Sequence, residues 1–235
     1  TLKETAAPEG YELSEKTYKV TVSYGNVTVE GMEKNSSQQY VVPNEPSKVD
    51  ISVKKVWEGV DKDDPLPNSV TVTLTRNGQE TDKTLTLNAG NNWQGTFTGL
   101  REYDENGKKY IYGISESPVN GYTVAVTGDA QKGFTVTNTY DPGAEGNSVD
   151  ISGTKTWVDP VGTEHPAITI NLLQDGTPIK SVTLENGETS YSFTDLPKYG
   201  TDGHVYVYTV EEEPVDGYSS KQDGNNFINT INQEK

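Results

Sequence analysis

Three residue types that together can make an amide bond recur in the same order along this chain. A lysine supplies an amine, a glutamate a carboxyl that can carry protons, and an asparagine a carboxamide carbon open to attack. In one copy they are Lys55 in ISVKKVW, Glu116 in YGISESPVNGY and Asn138 in FTVTN. In the next they are Lys155 in ISGTKTW, Glu212 in YTVEEEPVDGY and Asn229 in FIN. Burial in apolar surroundings lowers a lysine's pKa and raises a carboxylic acid's, so side by side the amine can be neutral and the carboxyl protonated. A neutral amine is a nucleophile. The acid can hydrogen-bond the asparagine carbonyl, polarise it, and pass protons to the departing ammonia. Packing that holds the groups together replaces a bimolecular encounter by a high effective molarity. The product is an Nε–Cγ isopeptide bond, made once and without turnover. Taken singly, a trio also reads as a buried Lys–Glu ion pair hydrogen-bonded to an asparagine. Repetition in the same order favours the cross-link.

The elements that must aim these groups are strands. Residues two apart in a strand share a face. Ile51, Val53, Lys55 and Trp57 therefore point one way, as do Tyr112, Ile114 and Glu116, and Phe134, Val136 and Asn138. The second copy repeats this with Ile151, Lys155 and Trp157, with Tyr208, Val210 and Glu212, and with Phe227 and Asn229. Glu211 and Glu213 fall on the opposite face and are expected in solvent. The last strand reads NNFINTINQ, so Asn232 competes with Asn229; Phe227 and Ile231 share the inward face with Asn229. These segments belong to an internal repeat of roughly 96 residues. Each copy holds runs of alternating apolar and polar residues closed by NG, DG or GN turn pairs. No window has a 3.6-residue period. About seven strands per repeat are expected, folded as an all-β, antiparallel, Ig-like sandwich.

The expected domains are 48–141 and 149–235, with DPGAEGNS (141–148) and NEPSK (44–48) as linkers. Residues 1–47 read as the C-terminal part of a preceding domain. There Leu2 and Glu4 share a face, as do Tyr40, Val42 and Asn44, so Glu4 and Asn44 repeat two-thirds of the trio without its lysine. A piece this short cannot bury a core alone. Docking on the next repeat, pairing with another segment and disorder all remain open.

Composition narrows the function classes. The chain has 235 residues, a net charge of −16 and no cysteine. That charge leaves nothing to neutralise phosphates, so nucleic acid is excluded as a partner. Absence of cysteine removes disulfides, thiolate metal sites and thiol nucleophiles. No run is long and apolar enough to span a membrane, so no membrane contact is expected in this segment. DKDDP (61–65) and DENG (104–107) carry carboxylates in turns but lack EF-hand spacing, so no metal is expected. His165 and His204 have no partners at metal or triad spacing, and no cofactor motif occurs. Trp57 and Trp157 read as core anchors over the trio, and Trp93, aligned with Tyr191, as structural.

The KxW of Lys55–Trp57 and Lys155–Trp157, the FTGL and FTDL runs, the glutamate segments ending in GY, and TNTY together resemble Cna B-type domains of Gram-positive adhesins and pilins. The opening LKETAAPEGY is similar to the E-box of pilin subunits. The resemblance implies intramolecular bonds from Lys55 to Asn138 assisted by Glu116, and from Lys155 to Asn229 assisted by Glu212. It implies a structural stalk or pilus shaft on the cell wall, outside the cell, whose partners are neighbouring domains or subunits of the same fibre. The alternative is an adhesive module binding a host extracellular-matrix protein or glycan.

Overall fold

The computed structural model describes residues 1–232. They are almost entirely strand and turn. In the first repeat the strands are β1 (Lys48–Glu58), β2 (Val70–Arg76), β3 (Gln79–Leu87), β4 (Gln94–Arg101), β5 (Tyr112–Glu116), β6 (Tyr122–Asp129) and β7 (Gly133–Tyr140). In the second they are β8 (Ser148–Val158), β9 (Ile168–Gln174), β10 (Thr177–Leu184), β11 (Ser190–Pro197), β12 (Tyr208–Glu212), β13 (Tyr218–Asp223) and β14 (Asn226–Ile231). Each repeat forms a four-stranded and a three-stranded sheet in the same order: β4-β1-β7-β6 with β5-β2-β3, and β11-β8-β14-β13 with β10-β9-β12. By compactness the chain falls into two units. One is Thr1–Val56, Ser69–Ser117 and Ala125–Thr137; the other is Trp57–Asn68, Pro118–Val124 and the chain from Asn138 onward.

In the first unit, alternation along β1 buries Ile51, Val53 and Lys55 and leaves Ser52 and Lys54 in solvent. Val72 and Leu74 of β2, Leu87 of β3 and Phe97 of β4 complete the apolar interior. The β2–β3 hairpin closes at Asn77-Gly78, both at positive φ, the pairing that a two-residue turn matched to strand twist requires. Residues 1–47 contribute three two-stranded ribbons, among which only Tyr18 and Val29 are buried apolar side chains. This segment folds back on its own end and touches the first repeat at Tyr103. Tyr11 bridges Pro46, the Ser47 amide donates to Gly10 O (2.9 Å), and Gly10 lies so close to Tyr103 that a Cβ there would stand 2.9 Å from the tyrosine's own.

In the second unit, Ile170, Leu172, Leu196, Val210 and Phe227 form the fully buried centre. All strand pairs of this repeat are antiparallel except one: β14 runs parallel to β8, with Lys155 opposite Phe227 and Trp157 opposite Asn229. First and last strands are thereby neighbours.

The FTGL and FTDL runs mark a bulge opposite the first strand. In one repeat the Gly99 amide donates to Asp50 Oδ1 (2.7 Å), and in the other the Asp195 amide donates to Asp150 Oδ1 (2.9 Å). Gly99 and Asp195 both have positive φ, which explains why glycine alternates with aspartate there.

One expectation about aromatic positions is corrected by register. Tyr191 pairs with Gly153, whereas Gly95 pairs with Val53, so the counterpart of Tyr191 is Gly95 and not Trp93. Trp93 corresponds instead to Thr189, since their carbonyls accept from the Lys55 and Lys155 amides respectively. The volumes are exchanged across the strand pair. A Cβ on Gly153 would stand 1.9 Å from the Asn225 carbonyl oxygen and 2.5 Å from the Tyr191 hydroxyl, while one on Gly95 would press on Leu85 and Leu87 at 3.1 Å. Gly153→Val should therefore cost roughly 1–3 kcal/mol by overpacking, and Tyr191→Gly about 3–5 kcal/mol by opening a cavity. The double variant removes the clash with the Tyr191 ring but not the one with the Asn225 carbonyl, so it should cost somewhat less than the sum in denaturant melts; additive costs would refute a shared contact between the two positions.

Candidate cross-linking site

The second repeat brings one lysine, one glutamate and one asparagine to a single buried point between its two sheets. Lys155 projects from β8, Glu212 from β12 and Asn229 from β14. Alternation along each strand turns these three inward, and the parallel β8–β14 register sets Lys155 two residues behind the position opposite Asn229. The Lys155 and Glu212 side chains are 0% and 2% exposed, and Asn229 is fully buried. Lys155 Nζ donates to Glu212 Oε1, and Asn229 Nδ2 donates to the same oxygen at 3.3 Å. One carboxylate oxygen thus joins the amine to the nitrogen that would leave. Asn229 Oδ1 is buried and has no hydrogen-bond partner among the described residues.

Three further side chains shape the site. Ser220 Oγ donates to Glu212 Oε2 at 2.8 Å, fixing the carboxylate's second oxygen. Lys155 Nζ stands 4.4 Å from the centre of the Trp157 ring, an arrangement in which the ring's electron-rich face attracts the cation. His165 stacks on that ring at 4.2 Å, and Tyr218 meets it edge-on at 4.8 Å. Asp159 Oδ2 accepts from the Tyr218 hydroxyl (3.0 Å) and contacts His165 Nε2 (2.8 Å), tying the histidine and tyrosine together. Burial pulls the Lys155 ammonium's pKa down, against the opposing pull of Glu212. Burial, reinforced by Glu212, pushes the nearby Tyr191 hydroxyl up to about 12.

In the first repeat, Lys55 Nζ lies 3.7 Å from Glu116 Oε1 and donates to Val56 O (3.1 Å), with the two side chains 0% and 1% exposed. Burial lowers the Lys55 pKa to about 8, with Glu116 acting in the opposite sense. Asn138 is fully buried on β7, the strand beside β1 in the sheet. Trp57 meets Tyr122 edge-on at 4.9 Å, as Trp157 meets Tyr218.

The remaining candidates sort by burial. Asn232 is exposed and its amide donates to Gly217 O, while Glu211 and Glu213 face solvent. Glu4 Oε1 accepts from Asn44 Nδ2 at 2.9 Å, both half-buried. His204 contacts Asp202 and Asp175, and these carboxylates raise its pKa. His165 likewise has Asp159. Ser220 was not singled out by sequence; its signal is positional, since it lies opposite Asn229 on the adjacent strand. No group of three or more histidine or acidic side chains among the described residues is arranged to hold a metal ion.

The sequence model for the Cna protein B-type domain matches residues 51–139 and 151–232. The collagen adhesin of Staphylococcus aureus is 35% identical over 191 residues, which are 78% of this chain and 16% of that protein. Among solved structures, two B repeat units of the S. aureus collagen-binding protein match at 28% identity and a TM-score of 0.47, covering 94% of this chain and 56% of that one. A single B repeat unit of the same protein matches at 33% identity and a TM-score of 0.37, covering 78% and 97%. With both repeats of the family covered in order, this chain belongs to the Cna protein B-type domain family.

Proposed function

We propose that this chain is a stalk segment of a Gram-positive cell-surface protein, with domains at 48–141 and 149–235, each closed by an autocatalytic Lys–Asn isopeptide bond. The observation carrying this reading is that Lys155 Nζ and Asn229 Nδ2 bond the same Glu212 oxygen inside an apolar core. Moving one proton from the ammonium to the carboxylate leaves a neutral amine beside a neutral acid. The amine nitrogen attacks Asn229 Cγ, the carbonyl oxygen takes up negative charge, and the C–Nδ2 bond breaks. The attacking nitrogen loses its proton to the carboxylate as the leaving nitrogen receives one, so ammonia departs and Glu212 is regenerated. Lys55, Glu116 and Asn138 take the same roles in the first domain. No substrate from outside is consumed, so the chain is not an enzyme in the turnover sense.

A bond joining first and last strands closes most of each domain into a loop, worth roughly 4–5 kcal/mol by the chain-entropy argument. Under tension it also carries load that strand hydrogen bonds would otherwise bear. The chain spans 16% of the length of the collagen adhesin, and the ligand in that protein's name is proposed at most for a larger protein around this segment. Residues 1–47 are proposed as the C-terminal part of another such domain.

Intact mass spectrometry tests the chemistry. The recombinant chain should weigh two ammonias less than its sequence, and a full-weight chain would rule the mechanism out. Glu116→Ala should retain one of these ammonias and unfold at a lower temperature; if it cross-links completely, Glu116 is not the proton carrier.

Titration supplies an independent check. In Asn138→Ala the Lys55 amine stays free, with a folded pKa of about 8 against the ordinary 10.5. Between those values the unfolded chain binds the extra proton, so stability rises with pH across that window. In the parent chain Lys55 is an amide and contributes no such rise. Identical pH slopes for the two proteins would exclude Lys55 as the bonded residue.

A further inference from the structure

The same contacts between a Gly-Tyr loop and a tyrosine turn farther along the chain occur at two places. Tyr103 and Tyr199 each stand two residues past a strand, β4 and β11, at the base of a turn closed by a bridge to Lys109 and to Val205. Gly10 lies against Tyr103 and Gly121 against Tyr199. A Cβ on these glycines would stand 2.9 Å and 3.1 Å from the tyrosine's own, and both have positive φ. Their carbonyls accept from corresponding amides at 2.9 Å: Gly10 O from Ser47, three residues past Asn44, and Gly121 O from Asp141, three residues past Asn138. Each set lies inside one of the two compact units.

The connecting chain differs between the two places while the contacts persist. At the first, Ser47 O also accepts from the Glu102 amide (2.9 Å). At the second, the two roles of Ser47 fall to Asp141 and Asn147. Asn147 O accepts from the Lys198 amide (2.7 Å), and Asn147 Nδ2 donates back to Asp141 O (2.8 Å). Residues 142–146 therefore loop out of a closure that one residue makes elsewhere. Side chains seal the second place: the Tyr140 hydroxyl donates to Tyr199 O (2.6 Å), the Tyr122 hydroxyl to Thr201 O, and Asn120 Nδ2 to Gly203 O (3.4 Å). Burial, reinforced by Tyr140, pushes the Tyr122 hydroxyl up to about 12, and burial likewise raises Tyr140. Gly217 has the same Gly-Tyr turn at positive φ, but no atom of the described residues lies within 4 Å of its Cβ position.

We propose that the tyrosine turn of each repeat is the seat on which the Gly-Tyr loop of the preceding segment locks, and that this contact, not linker length, fixes the joint between consecutive domains. The partner a seat accepts is a domain whose loop presents glycine before tyrosine. Glycine alone lets the loop backbone approach the seat's Cβ at positive φ without strain. At the second joint the following tyrosine supplies a hydroxyl to a carbonyl of the turn. The lock requires no isopeptide bond, so it stands apart from the chemistry proposed for the repeats.

The chain has no cysteine, so Glu58→Cys and Thr183→Cys, at exposed strand positions one in each repeat, place two spin labels specifically. Pulsed electron resonance on the full chain then reads the distance between them. The expected result is a single narrow peak. Inserting Gly-Gly-Ser after Gly143 should leave its mean and width unchanged. Gly121→Ala should replace it by a broad distribution, because the new methyl presses on Tyr199 and the Tyr140 ring. Tyr122→Phe combined with Tyr140→Phe removes only the sealing hydroxyls and should widen the peak in the same sense. Gly217→Ala brings the same backbone strain to a turn without a neighbour and should keep the narrow peak. A broad distribution in the parent, loosening with linker length, a tyrosine pair that keeps the parental width, or equal behaviour of Gly121→Ala and Gly217→Ala overturns the proposal. Intact mass of the same samples reports the cross-links separately. A chain of full weight with a narrow peak refutes the bonds and leaves the lock, whereas a chain lacking both ammonias with a broad peak refutes the lock alone.

Discussion

The whole arrangement depends on keeping a lysine amine in an apolar interior. An isolated ammonium there costs far more than any single contact returns, and a buried ion pair is commonly no better than apolar residues of equal volume. Lys55 and Lys155 nevertheless stand in the sandwich cores with side chains 0% exposed, each facing one glutamate. The desolvation that makes this costly also lowers the pKa of both lysines, which is the condition for nucleophilic attack. In the proposed reaction, amide formation then removes the ammonium from the core for good. On the proposed reading, the burial penalty is the driving force and not a defect that the fold tolerates.

Everything near the first strand serves that placement. The Asp50 and Asp150 carboxylates hold the bulge of the facing strand, so the pleat of β1 and β8 stays in register with the lysine inward. The two repeats fill the space behind the lysine differently, with Val53 beside Gly95 in one and Gly153 beneath Tyr191 in the other. In both, a side chain on one strand stands opposite a glycine on the other, which close packing favours. In the second repeat Trp157, two residues beyond the lysine, closes the other side, and His165 and Tyr218 hold its ring from two directions.

Much of this was legible in the sequence because strands have a period of two. Parity alone separated Glu212 from Glu211 and Glu213, and placed Asn229 with Phe227 on the inner face. The NG and DG turns and the alternating runs anticipated the seven strands of each repeat. What escaped was whatever depends on which strand lies beside which. Ser220 gains its role only because β13 neighbours β14. The pairing of Tyr191 with Gly153 needed the register, since alignment by residue type matched one aromatic to another and picked Trp93. His165 finds Asp159 through the course of a proline-containing loop, which has no period to read. The fate of residues 1–47 rested on backbone hydrogen bonds around Gly10 and Pro46, and these leave no mark on composition.

The parallel pairing of β8 with β14 gives the proposed bond its mechanical meaning. Two parallel neighbours pulled from the start of one and the end of the other are loaded in shear, with every ladder bond between them strained together. A covalent link from Lys155 to Asn229 takes the force before the ladder does. Tension then passes through Ser148–Lys155, across the side chains, and out through Asn229–Ile231. Strands β9 to β13 fall outside that path, so they are free to be short, turn-rich and bulged without weakening the chain. A bond placed elsewhere in the sandwich would leave more of the domain under load, which is a physical reason for lysine to sit on the first strand and asparagine on the last.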